Sequence, residues 1–233
     1  MPDSTAVPHP LDIDAVLFDL DGTLVDTAPD LAGALNCLRR DRGLDAMELA
    51  SLRPYASAGA RGLIGAGLAI RPDHEDYAAL RDAFLAHYEA AICVDSALFA
   101  EMENVLAELD RRHLRWGIVT NKATRFTQPL IAALALPATP HVVVCGDTTE
   151  HAKPHPAPLL HAARALGVAP GRCLYVGDSE RDVSAALAAG MPVIVARYGY
   201  IEPHEEPEAW PAHGHIEHPR ELLAWLPNTT SAA

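Results

Sequence analysis

The segment Ile13-Asp14-Ala15-Val16-Leu17-Phe18-Asp19-Leu20-Asp21-Gly22-Thr23 joins a short apolar run to two aspartates and a glycine. The apolar half reads as a strand buried on both faces, as strands of parallel sheets are. Four later runs have the same character. They are Trp116-Gly117-Ile118-Val119-Thr120, His141-Val142-Val143-Val144-Cys145, Cys173-Leu174-Tyr175-Val176 and Pro192-Val193-Ile194-Val195-Ala196. Helical spacing lies between most of them, over Glu103–His113, Thr124–Leu136, Pro156–Leu166 and Glu180–Ala189, the last stopped by Gly190. Alternating strands and helices predict an α/β fold, a Rossmann-like parallel sheet with helices on both faces.

One stretch breaks the alternation. Asp30–Arg42, Ser57–Leu68 and Tyr77–Ile92 are helical by spacing, with no convincing strand among them. The expected organisation is therefore a core made of residues 11–26 and 97–227, interrupted by an inserted helical cap at 27–96. The first ten residues, with three prolines, read as a loose leader. The tail after Tyr200, rich in Glu, Pro and His, reads as exposed, with a closing helix around Pro219–Leu226.

Composition bounds the function. The chain has 233 residues and a formal charge of −13. At about 150 residues per domain that allows one large domain or one domain with an insert. A chain this acidic lacks the cationic footprint of a nucleic-acid binder. No apolar run approaches the ~20 residues of a membrane span, and the N-terminus has no signal-peptide pattern. Cys37, Cys93, Cys145 and Cys173 are far apart with no CxxC, which predicts a reduced, cytoplasmic protein with structural thiols.

The polar residues that end the strands carry the chemistry. Asp19 and Asp21 follow the first run, Thr120 and Asn121 the second, Lys153 the third, and Asp178 with Asp182 the fourth. The carboxyl ends of parallel strands share one edge, so all of these are expected at one ligand-binding crevice. Clustered carboxylates repel unless protonated or neutralised by a cation. An oxygen-only set suits Mg²⁺. Lys153, the Thr120 hydroxyl and main-chain N–H groups of the Gly22 turn and the Asp178–Ser179 helix start are the expected anion donors. Such a site fits phosphoryl chemistry, with one of Asp19 and Asp21 attacking phosphorus and the other moving a proton.

Phe18-Asp19-Leu20-Asp21-Gly22-Thr23-Leu24, Val119-Thr120-Asn121-Lys122, Lys153-Pro154-His155-Pro156 and Val176-Gly177-Asp178-Ser179-Glu180-Arg181-Asp182 together resemble the four motifs of the haloacid dehalogenase superfamily, in order and spacing. The resemblance implies that Asp19 is a nucleophile forming an aspartyl-phosphate. It implies that Asp21 is the general acid and base, and that Thr120, Asn121 and Lys153 bind the phosphoryl oxygens. Mg²⁺ would be held by Asp19, the Asp21 backbone carbonyl and Asp178, with Asp182 an outer partner. The acid at position 21 favours phosphate chemistry over dehalogenation. The insert, with Asp26-Thr27-Ala28-Pro29-Asp30-Leu31, Ser57-Ala58-Gly59-Ala60-Arg61 and Arg197-Tyr198-Gly199-Tyr200, resembles the phosphoglycolate phosphatase-like branch. That branch implies a small phosphorylated metabolite, 2-phosphoglycolate first and N-acetylmuramic acid 6-phosphate second. Both carry a carboxylate, and Arg61 at the cap's edge is expected to pair with it bidentately. Two rival readings stand beside these, a sugar phosphomutase and a regulatory binding protein on a phosphatase scaffold. The expected protein is a monomer or homodimer without nucleic-acid or membrane partners. His204, His213, His215 and His218 are expected to be surface residues rather than a second metal site.

Overall fold

The computed structural model describes residues 9–134 and 136–227; most of the expected N-terminal leader lies outside them. The apolar run before Asp19 forms strand β1 (Ala15–Phe18), buried along its whole length. Beyond it lie a two-residue strand β2 (Val25–Asp26) and helix α1 (Ala28–Asp41), followed by α2 (Leu49–Leu52), a 3₁₀ turn over Arg53–Ala58, α3 (Gly59–Leu68) and α4 (Tyr77–Ala90). Strand β3 (Ala97–Leu98) then pairs antiparallel with β2, closing the excursion where it opened.

The alternation resumes with α5 (Met102–Arg111), β4 (Arg115–Val119), α6 (Thr124–Leu134) and β5 (Val142–Val144). It continues through α7 (Ala157–Leu166), β6 (Cys173–Gly177), α8 (Glu180–Ala188) and β7 (Val193–Ala196), and ends in β8 (Gly214–Ile216). The six-stranded sheet has the order β5-β4-β1-β6-β7-β8, and every pair in it is parallel.

Side chains alternate across this sheet as strand geometry requires. Val16 and Phe18 face one apolar cluster with Val105, Leu106, Leu109, Trp116 and Leu174. Ala15 and Leu17 face the other with Leu159, Ala162, Tyr175, Val183 and Ala186. In α5 the buried residues Met102, Val105, Leu106 and Leu109 follow helical spacing and cover the first face. A third cluster joins α1, α3 and α4 through Leu35, Leu63, Ile64, Phe84 and Tyr88, and reaches Phe126 of α6 and Tyr200. The helical insert therefore has its own core and also leans on the sheet layer.

Polar clamps pin both ends of the insert. Arg53 makes a bidentate pair with Asp26 at 2.8 and 2.9 Å. The buried Asp30 carboxylate accepts main-chain N–H bonds from Val94, Asp95 and Ser96 and the Ser96 hydroxyl at 2.6 Å.

The tail departs from expectation. It supplies the sixth strand, and Trp210, Ile216, Leu222 and Leu226 are buried. The closing helix is a 3₁₀ segment, Pro219–Ala224. The His215 ring bonds the Pro207 carbonyl at 2.9 Å, and His213 Nδ1 accepts the Val193 N–H at 3.2 Å. These rings brace an edge strand. The four cysteines are free thiols. No helix among the described residues is long and apolar enough to cross a membrane.

Candidate active site

In chain order the sheet grows from β1 to β4 and β5, then returns to the other side of β1 with β6. This reversal places a crevice at the carboxyl ends of β1 and β6. Asp19 follows β1, Thr120 follows β4 and Asp178 follows β6, so topology brings them together. Lys153 reaches the same place from the loop between β5 and α7.

Asp19 is buried, with Oδ1 held by the Leu20 N–H at 2.7 Å and by Lys153 Nζ at 2.9 Å. Burial raises its carboxyl pKa to about 6, against the opposing pull of Lys153. Lys153 is itself buried and spans the floor. Its ammonium donates to Asp182 Oδ1 at 2.7 Å, to the Val119 carbonyl at 2.9 Å and to the Tyr175 hydroxyl at 2.8 Å. Burial works against its charge, but Asp182 and Asp19 outweigh it and hold the lysine protonated.

Asp182 is fully buried and fully used. Its Oδ1 takes Lys153 and the Tyr175 hydroxyl, and its Oδ2 takes the Ser179 N–H at 3.1 Å and hydroxyl at 2.7 Å. Burial alone would raise its pKa; Lys153 reverses that and holds it below the usual range. Gly177 is required here because any Cβ would strike the Asp182 carboxyl.

Asp178 is the opposite case. Its Oδ2 accepts the Tyr200 N–H at 2.8 Å, while Oδ1 is buried with no hydrogen-bond partner. Burial first, and then the Asp19 charge, push its pKa well up. A buried carboxylate oxygen without a partner is costly unless an ion completes it. Asp19, Asp178 and Asp182 present oxygens within 4.8 Å of one another, an arrangement that could hold a metal ion. Asp182 has no oxygen to spare, so the oxygens of this group open to an ion are Asp178 Oδ1 and those of Asp19.

Gly22 lets the chain turn between the two aspartates. Its φ of +84° suits glycine, and a Cβ there would collide with Asp178 Oδ2. Asp21 thereby enters the crevice, where its Oδ1 accepts Thr27 Oγ1 at 2.5 Å and Lys122 Nζ at 2.7 Å. The sequence gives Lys122 no role of its own beside Thr120 and Asn121; in the fold its ammonium also lies 4.7 Å from the Tyr88 ring centre of α4. Its pKa is raised: burial opposes the charge, and Asp21 more than compensates.

Several expectations change in detail. The Gly22 N–H is bonded to the Val25 carbonyl and the Ser179 N–H to Asp182, so neither remains as an anion donor. The Asn121 side chain exchanges two 2.9 Å bonds with the Lys153 main chain, and so fixes the loop that carries the lysine. Thr120 is buried, its hydroxyl accepting the Lys122 N–H at 3.1 Å. Arg61 is exposed and does not line the crevice.

The crevice is a cavity of about 250 Å³. Asp19, Asp21, Thr120, Asn121, Lys122 and Lys153 form its floor, with Ser179 and Arg181 beside them. Leu31, Ala56, Phe84, Leu85, Tyr88 and Phe126 supply an apolar wall, and Ser57–Ala60 form the rim.

These features agree with the relatives of the chain. It is 43% identical over 217 residues to a phosphoglycolate phosphatase of Xanthomonas campestris pv. campestris, covering 91% of this chain and 95% of that one. It is 39% identical over 208 residues to an N-acetylmuramic acid 6-phosphate phosphatase of Pseudomonas putida, covering 89% and 93%. The crystal structure of a predicted phosphoglycolate phosphatase from Haemophilus somnus superposes with a TM-score of 0.78 at 27% identity, covering 91% and 97%. The model of the haloacid dehalogenase-like hydrolases matches residues 16–196, from β1 through β7. This chain belongs to the haloacid dehalogenase-like hydrolase family.

Proposed function

We propose that this protein is a Mg²⁺-dependent phosphatase that hydrolyses a small phosphomonoester through an aspartyl-phosphate on Asp19. The observation that carries the reading is the pair Asp19 and Asp178. One is a buried carboxylate anchored through a single oxygen, and the other holds a buried oxygen with no partner. The donor set fits Mg²⁺, being all oxygen and beside unsatisfied carboxylate charge. The Asp19 and Asp178 carboxylates and the Asp21 carbonyl would hold the ion, whose bound charge offsets that of the phosphoryl oxygens.

The protein groups do the rest. Lys122 and Thr27 both hold Asp21 Oδ1, which leaves Oδ2 for a proton. The free Asp19 oxygen attacks phosphorus, the ester P–O bond breaks, and Asp21 gives the leaving oxygen its proton. Asp21 then takes a proton from water, the water attacks phosphorus, and the aspartyl P–O bond breaks to release phosphate. Lys153 sits where it neutralises the transferred group, and Thr120 adds a hydroxyl at the strand end. Helices α1–α4 act as the cap at 27–96, covering the core at 11–26 and 97–227, excluding water and contacting the leaving group.

The first candidate substrate is 2-phosphoglycolate, in line with the names of several relatives. The apolar wall of Leu31, Phe84, Leu85 and Tyr88 favours a second candidate with a larger organic group, N-acetylmuramic acid 6-phosphate. Comparing kcat/KM on these two and on a panel of sugar phosphates, with Mg²⁺ and with EDTA, tests the proposal. It predicts phosphate release that needs Mg²⁺ and a preference of at least tenfold for one of the two acids. Release that persists in EDTA would overturn the metal assignment, and equal rates across the panel would overturn both substrates.

A further inference from the structure

Three cations line the cavity among the described residues, and two are already committed. Lys153 is bound to Asp19 and Asp182, and Lys122 to Asp21. The third, Arg181, has no carboxylate partner among the described residues. Its Nη2 donates to the Ser57 carbonyl at 2.9 Å and lies 3.4 Å from the Ser57 hydroxyl. A guanidinium carries five N–H donors in a rigid fork. Apart from Nη2, those of Arg181 have no hydrogen-bond partner among the described residues.

Position adds to this. Arg181 stands in the first turn of α8, three residues past Asp178, and is half-buried. Its side chain crosses from the chemical floor to the rim at Ser57, on the 3₁₀ turn that precedes α3. The guanidinium is therefore held across the cavity from one end, with its remaining donors free. Leu31, Phe84 and Leu85, which also line the cavity, give an anion nothing to bind.

We propose that Arg181 is the specificity residue that binds the carboxylate of the substrate. This rests on the phosphatase reading and deepens it: the substrate class is a phosphomonoester whose alcohol part bears a carboxylate. A carboxylate and a guanidinium fork match in a two-bond geometry. Arg61, the arginine that the sequence suggested for this task, stands outside the cavity.

The experiment uses substrate pairs that differ in the carboxylate. One pair is 2-phosphoglycolate and ethyl phosphate. The second is N-acetylmuramic acid 6-phosphate and N-acetylglucosamine 6-phosphate. For each pair the ratio of kcat/KM, acid over neutral, is measured in wild type, Arg181→Ala and Arg181→Lys. The loss of a charge-assisted contact corresponds to about 10–100-fold. The expected result is a fall of that size in the ratio for the preferred pair in Arg181→Ala, arising in KM, with Arg181→Lys in between. An unchanged ratio overturns the proposal, including the case where both members slow equally because the Ser57 contact was lost.

Binding of the dephosphorylated acids, glycolate and N-acetylmuramate, is measured alongside by calorimetry. Binding that is present in wild type and weakened in Arg181→Ala supports the role without any turnover. A wild type that hydrolyses none of these esters would sink the phosphatase reading, while this binding result would still decide the role of Arg181.

Discussion

The floor and the wall of the cavity are built on opposite rules. On the floor, Asp19, Lys153, Asp182, Tyr175 and Ser179 form a buried network in which nearly every polar atom has a partner. On the wall, Leu31, Phe84, Leu85, Tyr88 and Phe126 make an apolar surface whose polar contacts to the floor are few. A charge network is worth having only if all its members are present, because removing one strands the rest. An apolar wall tolerates change gradually. On the proposed function, the chemistry belongs to the floor, where substitution should be catastrophic, and substrate choice to the wall, the rim and Arg181.

The sharpest way to break this division is at the nucleophile. Asp19→Asn should lower phosphate release at least about 10⁴-fold, with an unchanged circular dichroism spectrum. Appreciable residual turnover would move the nucleophile elsewhere. Next is the floor's counter-charge. Lys153→Met leaves Asp19, Asp178 and Asp182 without their cation and should cost about 3–5 kcal/mol of stability, read by urea unfolding at pH 7. A loss under about 1 kcal/mol would mean that the network is not a unit.

Proton linkage probes the same floor without mutation. Without metal, Asp19 has a pKa of about 6 in the folded chain against an ordinary 3.8. Between these values the folded state binds the extra proton. Its contribution is complete below 3.8 and is lost as pH rises to about 6. Asp178, whose carboxyl burial also pushes well up, adds a loss of the same sign that extends to higher pH, while the shift of Asp182 acts in the other direction and below this window. Urea midpoints in EDTA should therefore fall as pH rises from about 4 through about 6 and beyond, and Mg²⁺ should restore stability progressively as its carboxylate ligands lose their protons. A flat profile in EDTA would mean that Lys153 already balances the floor.

Smaller effects mark the junction and the wall. Lys122→Met removes the cation that orients Asp21 and should lower kcat about 10–100-fold with little change in KM, measured on the preferred ester. Tyr88→Phe deletes a buried hydroxyl with no hydrogen-bond partner. It should change stability by less than about 0.5 kcal/mol, and the thermal midpoint reads this directly. A large loss would give that hydroxyl a role on the floor.

Strands β1, β4, β5, β6 and β7 and the helices between them were legible because each lies in an apolar run or a helical repeat long enough to show its period. The pair β2 and β3 was not, since two residues have no period. Strand β8 was hidden for a related reason. Gly214-His215-Ile216 is a three-residue edge strand among prolines, glutamates and histidines, and Leu222 and Leu226, the apolar partners of Ile216, come from the turns that follow it. Lys122 looked like the polar end of a strand until Asp21 and Tyr88 were seen to meet it. The sequence pointed to Arg61 and gave Arg181 no role of its own; the fold leaves Arg61 exposed and turns Arg181 toward the cavity rim at Ser57.

Sequence alone determined that parallel strands would gather Asp19, Thr120, Lys153 and Asp178 at one edge, because strand direction orders their carboxyl ends whatever the packing. Tertiary structure decided which oxygen of which aspartate is spoken for. Tyr175 and Ser179 saturate Asp182, the Tyr200 amide takes one oxygen of Asp178, and the second is left bare. The Ser179–Asp182 bond is a local capping box, but the contacts of Lys153 with Asp182 and of the Tyr200 amide with Asp178 join separate segments, and no spacing along the sequence encodes them.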